Sequence, residues 1–529
     1  MPLQDINCHR MFGKRNNLSG LSSHDLFDLF EDVPRGKPDA GYAGHLPRSH
    51  FASQAEIAER LPFESGKLFL GAINAPMEHD TNARTGAEPV FARASRDDFV
   101  GHIDDRHVFT VAGSRSGKGR SVLVPNMLMW PHSVIAIDPK GELATETAKY
   151  RSDGHYQNVV VLDPFKVSDV DDNLRGGFNP IDMVDEDNLI ELSMLIADAL
   201  VVTDKGSKDT HWTESAKGVL RGLLGHVATH ADFAGRRHLG TVRELASRMG
   251  ASEVDADGNE KRNEIEVAMM GNGSGEGFIQ RAASDFFDKP DNERGSVLST
   301  LNRNLMFLDL PPIKRCLETS SFELSDLKNE PTTVYLCLPA RHMGTCGRWY
   351  RLLVNLTIQS MEITPRSEKM QGSVLMVLDE MATLGHMQSI LDAAGQMAGF
   401  GLKLWAFWQD LAQAKEIYGD RWETFIANAG VVQCFANTDP TTAEWISKRL
   451  GRIAVMVSDP SFANAKSAAS NPSTHRRRSE MSELLAPHEV AMLFAREDPL
   501  NRQLVFVSGM NPVILQKVYY DKHMDLMAP

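Results

Sequence analysis

The sequence predicts an α/β fold interrupted by an all-helical insertion. Three observations carry this expectation. From residue 107 to 182, short apolar runs rich in β-branched residues alternate with segments of helical length. A block with helical periodicity and no strong strand pattern follows, from 183 to 300. Strand patterns then resume and continue almost to the C-terminus. Short β-branched runs separated by helices argue for parallel strands in one α/β domain, here split by the insertion.

In chain order, residues 1–90 form a polar, partly irregular segment rich in Gly, Pro and His. Its short core pieces are LFDLF (27–31) and KLFLGAI (67–73). HVFTVAG (107–113) is a strand that ends in a Gly-rich turn, and SVLVPNMLMW (121–130) follows as a helix. SVIAID (133–138) and NVVVLD (158–163) are apolar runs that each end in an acid. Between 183 and 300, LIELSMLIADALVV, AKGVLRGLLGHVATHA, VRELASRMG and EGFIQRAASDFF carry helical spacing. TTVYLCL (332–338), SVLMVLD (373–379), KLWAFW (403–408), VVQCFA (431–436), QLVFVS (503–508) and VILQKVYY (513–520) are the later strands. The Ser, Ala, Asn and Pro content between 458 and 480 suggests a flexible loop or linker. The expected boundaries are 1–90, a discontinuous α/β domain at 91–182 and 301–529, and a helical domain at 183–300.

Composition narrows the function classes. A length of 529 residues exceeds one ordinary domain, and 42% hydrophobic residues suffice for a sizeable core. The net charge of −14 argues against a uniformly basic nucleic-acid-coating protein. Contact with nucleic acid then needs a local basic feature. His475-Arg476-Arg477-Arg478 is one candidate, and a solvated loop is its plainer reading. The five cysteines, Cys8, Cys316, Cys337, Cys346 and Cys434, form no C-x-x-C pair. They suggest a reduced chain without a disulfide framework or structural zinc. No apolar run reaches the length of about 18 residues that a membrane span needs, and the first residues lack a signal-peptide core. A cytoplasmic protein without an intrinsic membrane span is expected.

The chemistry concentrates in Ala112-Gly113-Ser114-Arg115-Ser116-Gly117-Lys118-Gly119-Arg120. Ala112 and Gly119 depart from the strict phosphate-loop pattern, which has Gly first and Ser or Thr last. The physical core is intact. Gly117 and Gly119 let backbone N–H groups approach phosphate, and the helix that follows offers its N-terminal dipole. Lys118 is placed to reach β- and γ-phosphates. Gly113 through Arg120 are therefore the candidate nucleotide-binding residues. The hydroxyl that normally ligates Mg²⁺ is missing. Ser121 lies about 200° further round the helix and substitutes poorly; water or Ser116 are the alternatives.

Phosphoryl transfer also needs a metal site and a base. SVLMVLDEMATLG supplies Asp379 for Mg²⁺ and Glu380 to orient and deprotonate water. KLWAFWQD ends in Gln409, a candidate γ-phosphate sensor or water-positioning group; a plain residue at a helix N-terminus is the alternative. Trp212 and Trp445 are expected to pack.

These segments together resemble the TraG branch of type IV secretion and conjugation coupling proteins. The resemblance rests on AGSRSGKGRSVLVPNML, SVIAIDPKGELATETAKYR, GGFNPID, LDEMATLG, MAGFGLKLWAFWQDLAQ, ANAGVVQCFANTDPTTAEWISKRLG and NPVILQKVYYD. It runs from about residue 44, where GHLPRSHFASQAEIAERL resembles the family's segment after its membrane anchor. In that branch Gly is familiar at the position of Gly119. The resemblance implies a RecA-like ATPase sheet with an inserted helical domain, and ATP and Mg²⁺ as cofactors. It implies a homohexamer that delivers single-stranded DNA with its relaxase, or protein effectors, to type IV secretion inner-membrane components. It carries Lys118, Asp379, Glu380 and Gln409 into the site; for an arginine finger, Arg421 and Arg449 are candidates without a clear motif. Most members begin with transmembrane helices, where this chain has 43 polar residues. Recruitment to the cytoplasmic face of the inner membrane by partners is the corresponding expectation. Two other readings stay open: a nucleotide-held recruitment adaptor with little hydrolysis, and another RecA-like DNA-pumping motor.

Overall fold

The computed structural model describes residues 49–73, 95–202, 210–251, 253–254, 260–368, 372–461 and 474–528. The chain divides into two compact units, Met1–Trp130 with Phe407–Pro529, and Pro131–Ala406. Strands are numbered along the chain: β1 (Leu68–Ala72), β2 (Phe99–His102), β3 (His107–Ala112), β4 (Val134–Ile137), β5 (Asn158–Leu162), β6 (Glu253–Val254), β7 (Glu260–Lys261), β8 (Thr332–Leu336), β9 (Val374–Leu378), β10 (Leu402–Trp408), β11 (Ala429–Phe435), β12 (Arg452–Ser461), β13 (Thr474–Glu483), β14 (Arg502–Val507) and β15 (Val513–Gln516).

In the first unit, β3 pairs in parallel with β11, and β11, β14, β15, β1 and β2 follow as antiparallel neighbours. β3 and β11 are buried along their whole length. That burial explains why their sequences are continuous apolar runs instead of alternating ones. The polar residues inside them satisfy each other, with Thr110 Oγ1 donating to Gln433 Oε1 at 3.1 Å.

The KLFLGAI piece is β1, and all five of its residues are buried. Phe69 meets Phe99 at 4.9 Å and Phe63 at 5.8 Å. Ser53 caps the helix Gln54–Arg60 through Glu56 N–H. Residues 49–73 thus hold more core than their polar composition suggests. LFDLF and Cys8 lie outside the described residues.

The expected loop between 458 and 480 needs correction. β12 and β13 form an antiparallel hairpin with register from Arg452↔Glu483 to Ser461↔Thr474. The basic run His475–Arg478 therefore has strand backbone, and only 462–473 fall outside the described residues. β13 (THRRRSEMSE) and the end of β12 (SDPS) are polar and lack the apolar alternation that marks a half-buried strand, whereas β12 begins with the apolar run IAVMV.

In the second unit β10, β9, β4, β8 and β5 are neighbours in that order, all parallel. Helices Glu142–Asp153 and Ala340–Ile363 belong to this unit, and the second buries Trp349 and Tyr350 completely. Arg151 is fully buried, yet it donates to Thr333 Oγ1, His132 O and Gln157 Oε1. Burial lowers its pKa to about 10. Among the described residues between Leu189 and Leu305, helices Leu189–Leu200, Thr210–Thr229, Leu239–Arg248, Glu264–Met270, Phe278–Phe287 and Asp291–Leu305 predominate. Helix Thr210–Thr229 packs against Leu189–Leu200, Phe278–Phe287 and Asp291–Leu305. Gly222 permits the closest approach, since a Cβ there would lie 2.6 Å from Ala282 Cβ. The two-residue strands β6 and β7 are a small departure from the strand-free expectation.

Candidate phosphate-binding site

β3 ends at Ala112, and the chain turns at once toward a helix. The turn is set by sterics. A Cβ on Gly113 would stand 2.1 Å from the carbonyl oxygen of Ala436, so only glycine fits. Gly113 N–H donates to Phe435 O, and Ser116 N–H donates to Gly113 O, which closes the loop. Arg115 (φ 54°) and Gly117 (φ 83°) take left-handed conformations. Alternating left- and right-handed residues turn successive N–H groups to one side, the geometry of an anion nest. Gly119–Leu123 then winds as a wide π-type turn before the helix Val124–Met129, a form common at functional sites. Asn126 ties this helix to β1 by bonding both Phe69 N–H and Phe69 O.

The side chains distribute as follows. Ser114, Arg115 and Arg120 are exposed, and Lys118 is half-buried. A Cβ on Gly119 would meet nothing within 4 Å, so the missing hydroxyl is not excluded by crowding. Ser121 donates its hydroxyl to Gly117 O at 3.0 Å and is committed there, as its position predicts. Ser116 Oγ is enclosed and makes no hydrogen bond. An enclosed hydroxyl without a partner is costly unless a bound group satisfies it. Together with the glycine cradle, it fits a bound polyphosphate.

The C-terminal segment also reaches this loop, which the sequence did not reveal. Lys517 is 5% exposed, donates from Nζ to Ser116 O at 3.3 Å, and sits 5.0 Å from the Phe435 ring centroid. Its burial lowers its pKa to about 8. The Tyr519 ring packs on Gly117, where a Cβ would be 3.1 Å from Tyr519 Cε1. Tyr519 OH donates to Asn501 Oδ1. Arg120 forms an ion pair with Asp521 and lies over the Tyr519 ring. The Arg120 side chain is thus turned to the C-terminal segment.

Gln409 follows β10 and is half-buried. Phe109 of β3 stacks on Trp408, the residue before it, at 6.5 Å. Asp410, not Gln409, caps the next helix by accepting from Gln413 N–H. Arg449 lies over Trp445 and Phe506, which makes it a packing group; Arg421 is exposed on a short turn. Trp445 packs on Phe506 as expected.

Asp379 and Glu380 belong to the second unit, directly after β9, and both are half-buried. Glu380 has φ 62°, an uncommon conformation for a glutamate and one that clusters at functional sites. Its carbonyl accepts from Thr383 N–H and Oγ1, which fixes the turn. The next strand end contributes Asp138, which sequence reasoning did not single out. Ile137 of β4 pairs with Leu378 of β9, so the two aspartates are neighbours. Burial, the nearby Asp379 charge and Glu142 raise the Asp138 pKa to about 7. Asp138 Oδ2 accepts from Ala144 N–H at 2.8 Å.

The family described as type IV secretory system conjugative DNA transfer matches residues 72–529. The conjugal transfer protein TraG of Escherichia coli is 28% identical over 417 residues, 74% of this chain and 62% of that protein. The type IV secretion system-coupling protein VirD4 of Bartonella quintana (strain Toulouse) is 24% identical over 431 residues, 80% of this chain and 64% of that protein. The chain thus spans about three fifths of the length of the curated relatives it matches. Among solved structures, unbound conjugative coupling protein TrwBdeltaN70 shares 14% identity with a TM-score of 0.59, covering 90% of this chain and 94% of that chain. TrwB in complex with ADP and Mg²⁺ gives 0.58 at 15% identity, covering 90% and 94%. The RecA-like α/β fold with helices, expected from the sequence, is the fold of this chain.

Proposed function

The chain belongs to the type IV secretory system conjugative DNA transfer family, and on that premise we propose that it is an ATP-driven coupling protein. Its cargo is single-stranded DNA with a bound relaxase, or protein effectors, passed to inner-membrane components of a type IV secretion channel. The working form is a homohexamer with ATP between subunits. The observation that carries this reading is the phosphate loop, in which Gly113 is pressed on Ala436 O and left-handed Arg115 and Gly117 precede a helix. The complex of TrwB with ADP and Mg²⁺ supports the same ligands here.

The roles follow from chemistry. Backbone N–H groups of Gly113–Arg120 hold the phosphates, and Lys118 neutralises charge that grows toward the leaving oxygen. Mg²⁺, when bound, would screen the phosphate oxygens, with Asp379 as its protein ligand and water in place of the absent Ser/Thr hydroxyl. Glu380 accepts the proton of the attacking water as the water oxygen bonds to the γ-phosphorus and the bond to the β–γ bridging oxygen breaks. Gln409 positions that water.

We assign residues 183–300 as a helical lobe that contacts cargo or accessory proteins. No helix among the described residues is long and apolar enough to cross a membrane. We propose that partners recruit the chain to the cytoplasmic face of the inner membrane. Electron microscopy of the purified protein with a non-hydrolysable ATP analogue and single-stranded DNA tests the reading. Rings with nucleotide at each interface and DNA in the channel are expected; nucleotide-loaded monomers that ignore DNA would overturn it.

A further inference from the structure

Four parallel strands of the second unit end level with one another. Leu378 pairs with Ile137, Ile137 with Leu336, and Leu336 with Leu162. The three strands beyond β9 each lead into a segment that presents a cation. β4 is followed by Asp138-Pro139-Lys140, β5 by Asp163-Pro164-Phe165-Lys166, and β8 by Pro339-Ala340-Arg341-His342. Lys140, Lys166 and Arg341 are exposed. The two strand-end carboxylates are buried, whereas Glu142, Asp169, Asp171 and Asp172 further along the same segments are exposed. Asp138 is 4% exposed and the Asp163 side chain 0%.

Both Asp-Pro turns are built alike, with the strand-end aspartate folded back as a cap for its own loop. Asp138 accepts from Ala144 N–H through its side chain and from Gly141 N–H through its carbonyl. Asp163 accepts from Val167 N–H, Ser168 N–H, Ser168 Oγ and the Arg175 guanidinium. The two loops are also fastened together. A Cβ on Gly141 would lie 2.7 Å from Ser168 N, and Asp169 N–H donates to Thr145 Oγ1 at 2.9 Å. The third segment joins through rings, with Phe165 and His342 stacked at 4.0 Å and 16°. Arg341 Nε donates to His342 Nε2. The result is a rigid rim with three exposed cations around a half-buried aromatic pair. Lys166 pairs with Asp172 at 3.5 Å, and both side chains are at least 70% exposed. Such a surface pair holds weakly and yields readily to a phosphate.

Fixed cations beside a flat ring match the way proteins grip single-stranded nucleic acid. Cations follow the backbone, and a base stacks on the aromatic face. We infer that this rim binds single-stranded nucleic acid, with Lys140, Lys166 and Arg341 on phosphates and the Phe165–His342 stack against a base. The inference rests on the cargo reading above and names the surface through which the chain holds that cargo.

The test is fluorescence anisotropy of a labelled oligothymidylate with the full chain, titrated at several salt concentrations. Lys140→Ala/Lys166→Ala/Arg341→Ala should bind at least about tenfold more weakly at low salt. Its slope of log affinity against log salt should be shallower by about 2, near 0.7 per lost phosphate contact. Phe165→Ala should lose about tenfold with an unchanged slope, because stacking is not electrostatic. Both variants should bind a fluorescent ATP analogue like wild type, which shows that the fold and the phosphate loop are intact. Rim variants that keep wild-type affinity and slope overturn this inference and leave the cargo reading standing. A wild-type chain that hydrolyses ATP but binds no oligonucleotide overturns the inference and the DNA-cargo reading together. A silent Phe165→Ala, with duplex competing as well as single strand, overturns the assignment to single strands.

Discussion

Replacing Gly113 by alanine tests the geometry of the phosphate loop without touching its charge. The added Cβ would stand 2.1 Å from Ala436 O and 3.2 Å from Ala436 C, well inside the 3.0 Å limit for the oxygen. Ala436 has little room to yield. It follows the buried strand β11, holds φ 55°, and donates its N–H to Phe494 O at 2.6 Å. Relief must therefore come from the loop, which would weaken the bond from Gly113 N–H to Phe435 O. Overpacking of this kind costs about 1–3 kcal/mol. The displaced N–H groups would also lose phosphate contact, so nucleotide affinity should fall by about tenfold or more. Gly119→Ala is the internal control. Its Cβ meets nothing within 4 Å, and alanine gains up to about 1 kcal/mol over glycine in a helical turn. Thermal melting and titration with a fluorescent ATP analogue read both changes. Gly113→Ala should melt lower and bind more weakly, whereas Gly119→Ala should melt at or above wild type. A Gly113→Ala protein as stable and as tight-binding as wild type would refute the steric argument.

Three further outcomes follow from the site. Glu380→Gln should bind ATP with near wild-type affinity but turn it over about 10²–10⁴-fold more slowly, because glutamine cannot take the proton; wild-type turnover in a folded variant would place the base elsewhere. Gly119→Ser should enlarge the gain in ADP affinity on adding Mg²⁺, since the site is open and the new hydroxyl restores a ligand; an unchanged ratio of affinities with Mg²⁺ and with chelator would show that the position does not face the ion. Lys517 has a native pKa of about 8 against an ordinary 10.5, so the unfolded chain binds more protons between those values. Its contribution therefore makes stability rise with pH from about 8 to 10.5 and is lost as pH falls through 8, on the order of 3 kcal/mol in all. Melting temperatures of wild type and Lys517→Met at pH 7.5, 8.5 and 9.5 should converge as pH rises; parallel curves would contradict a strained lysine under the loop.

Much of the fold was legible because the relevant strands are buried on both faces. β3, β4, β5, β8, β9, β10, β11, β14 and β15 are all short apolar runs, and that signal survives without knowledge of their neighbours. The phosphate loop was legible for a similar reason, since Gly117, Lys118 and the following helix are adjacent in sequence. β1 was visible only as a core piece, and β2, with four residues, is too short to show a period. β13 was hidden by polar composition, and the short apolar start of β12, IAVMV, was not picked out as a strand. The C-terminal contribution was hidden by distance: Lys517 and Asp521 each lie 401 residues from the loop partner they meet. Nothing local in NPVILQKVYYD says that its lysine will be buried under a carbonyl. Asp138 was read as the acid after a strand, but only the pairing of β4 with β9 sets it beside Asp379.

The most direct test of the central claim is ATP turnover by wild type and Lys118→Ala, each with Mg²⁺ and with chelator. Lys118 is the loop cation placed by sequence to reach the β- and γ-phosphates, and Arg115 comes too early in the loop to replace it. The account predicts turnover in wild type that requires Mg²⁺ and disappears in Lys118→Ala, while the variant melts like the parent. Equal turnover by both proteins, or nucleotide affinity untouched by the substitution, would contradict the assignment of this loop as the nucleotide site.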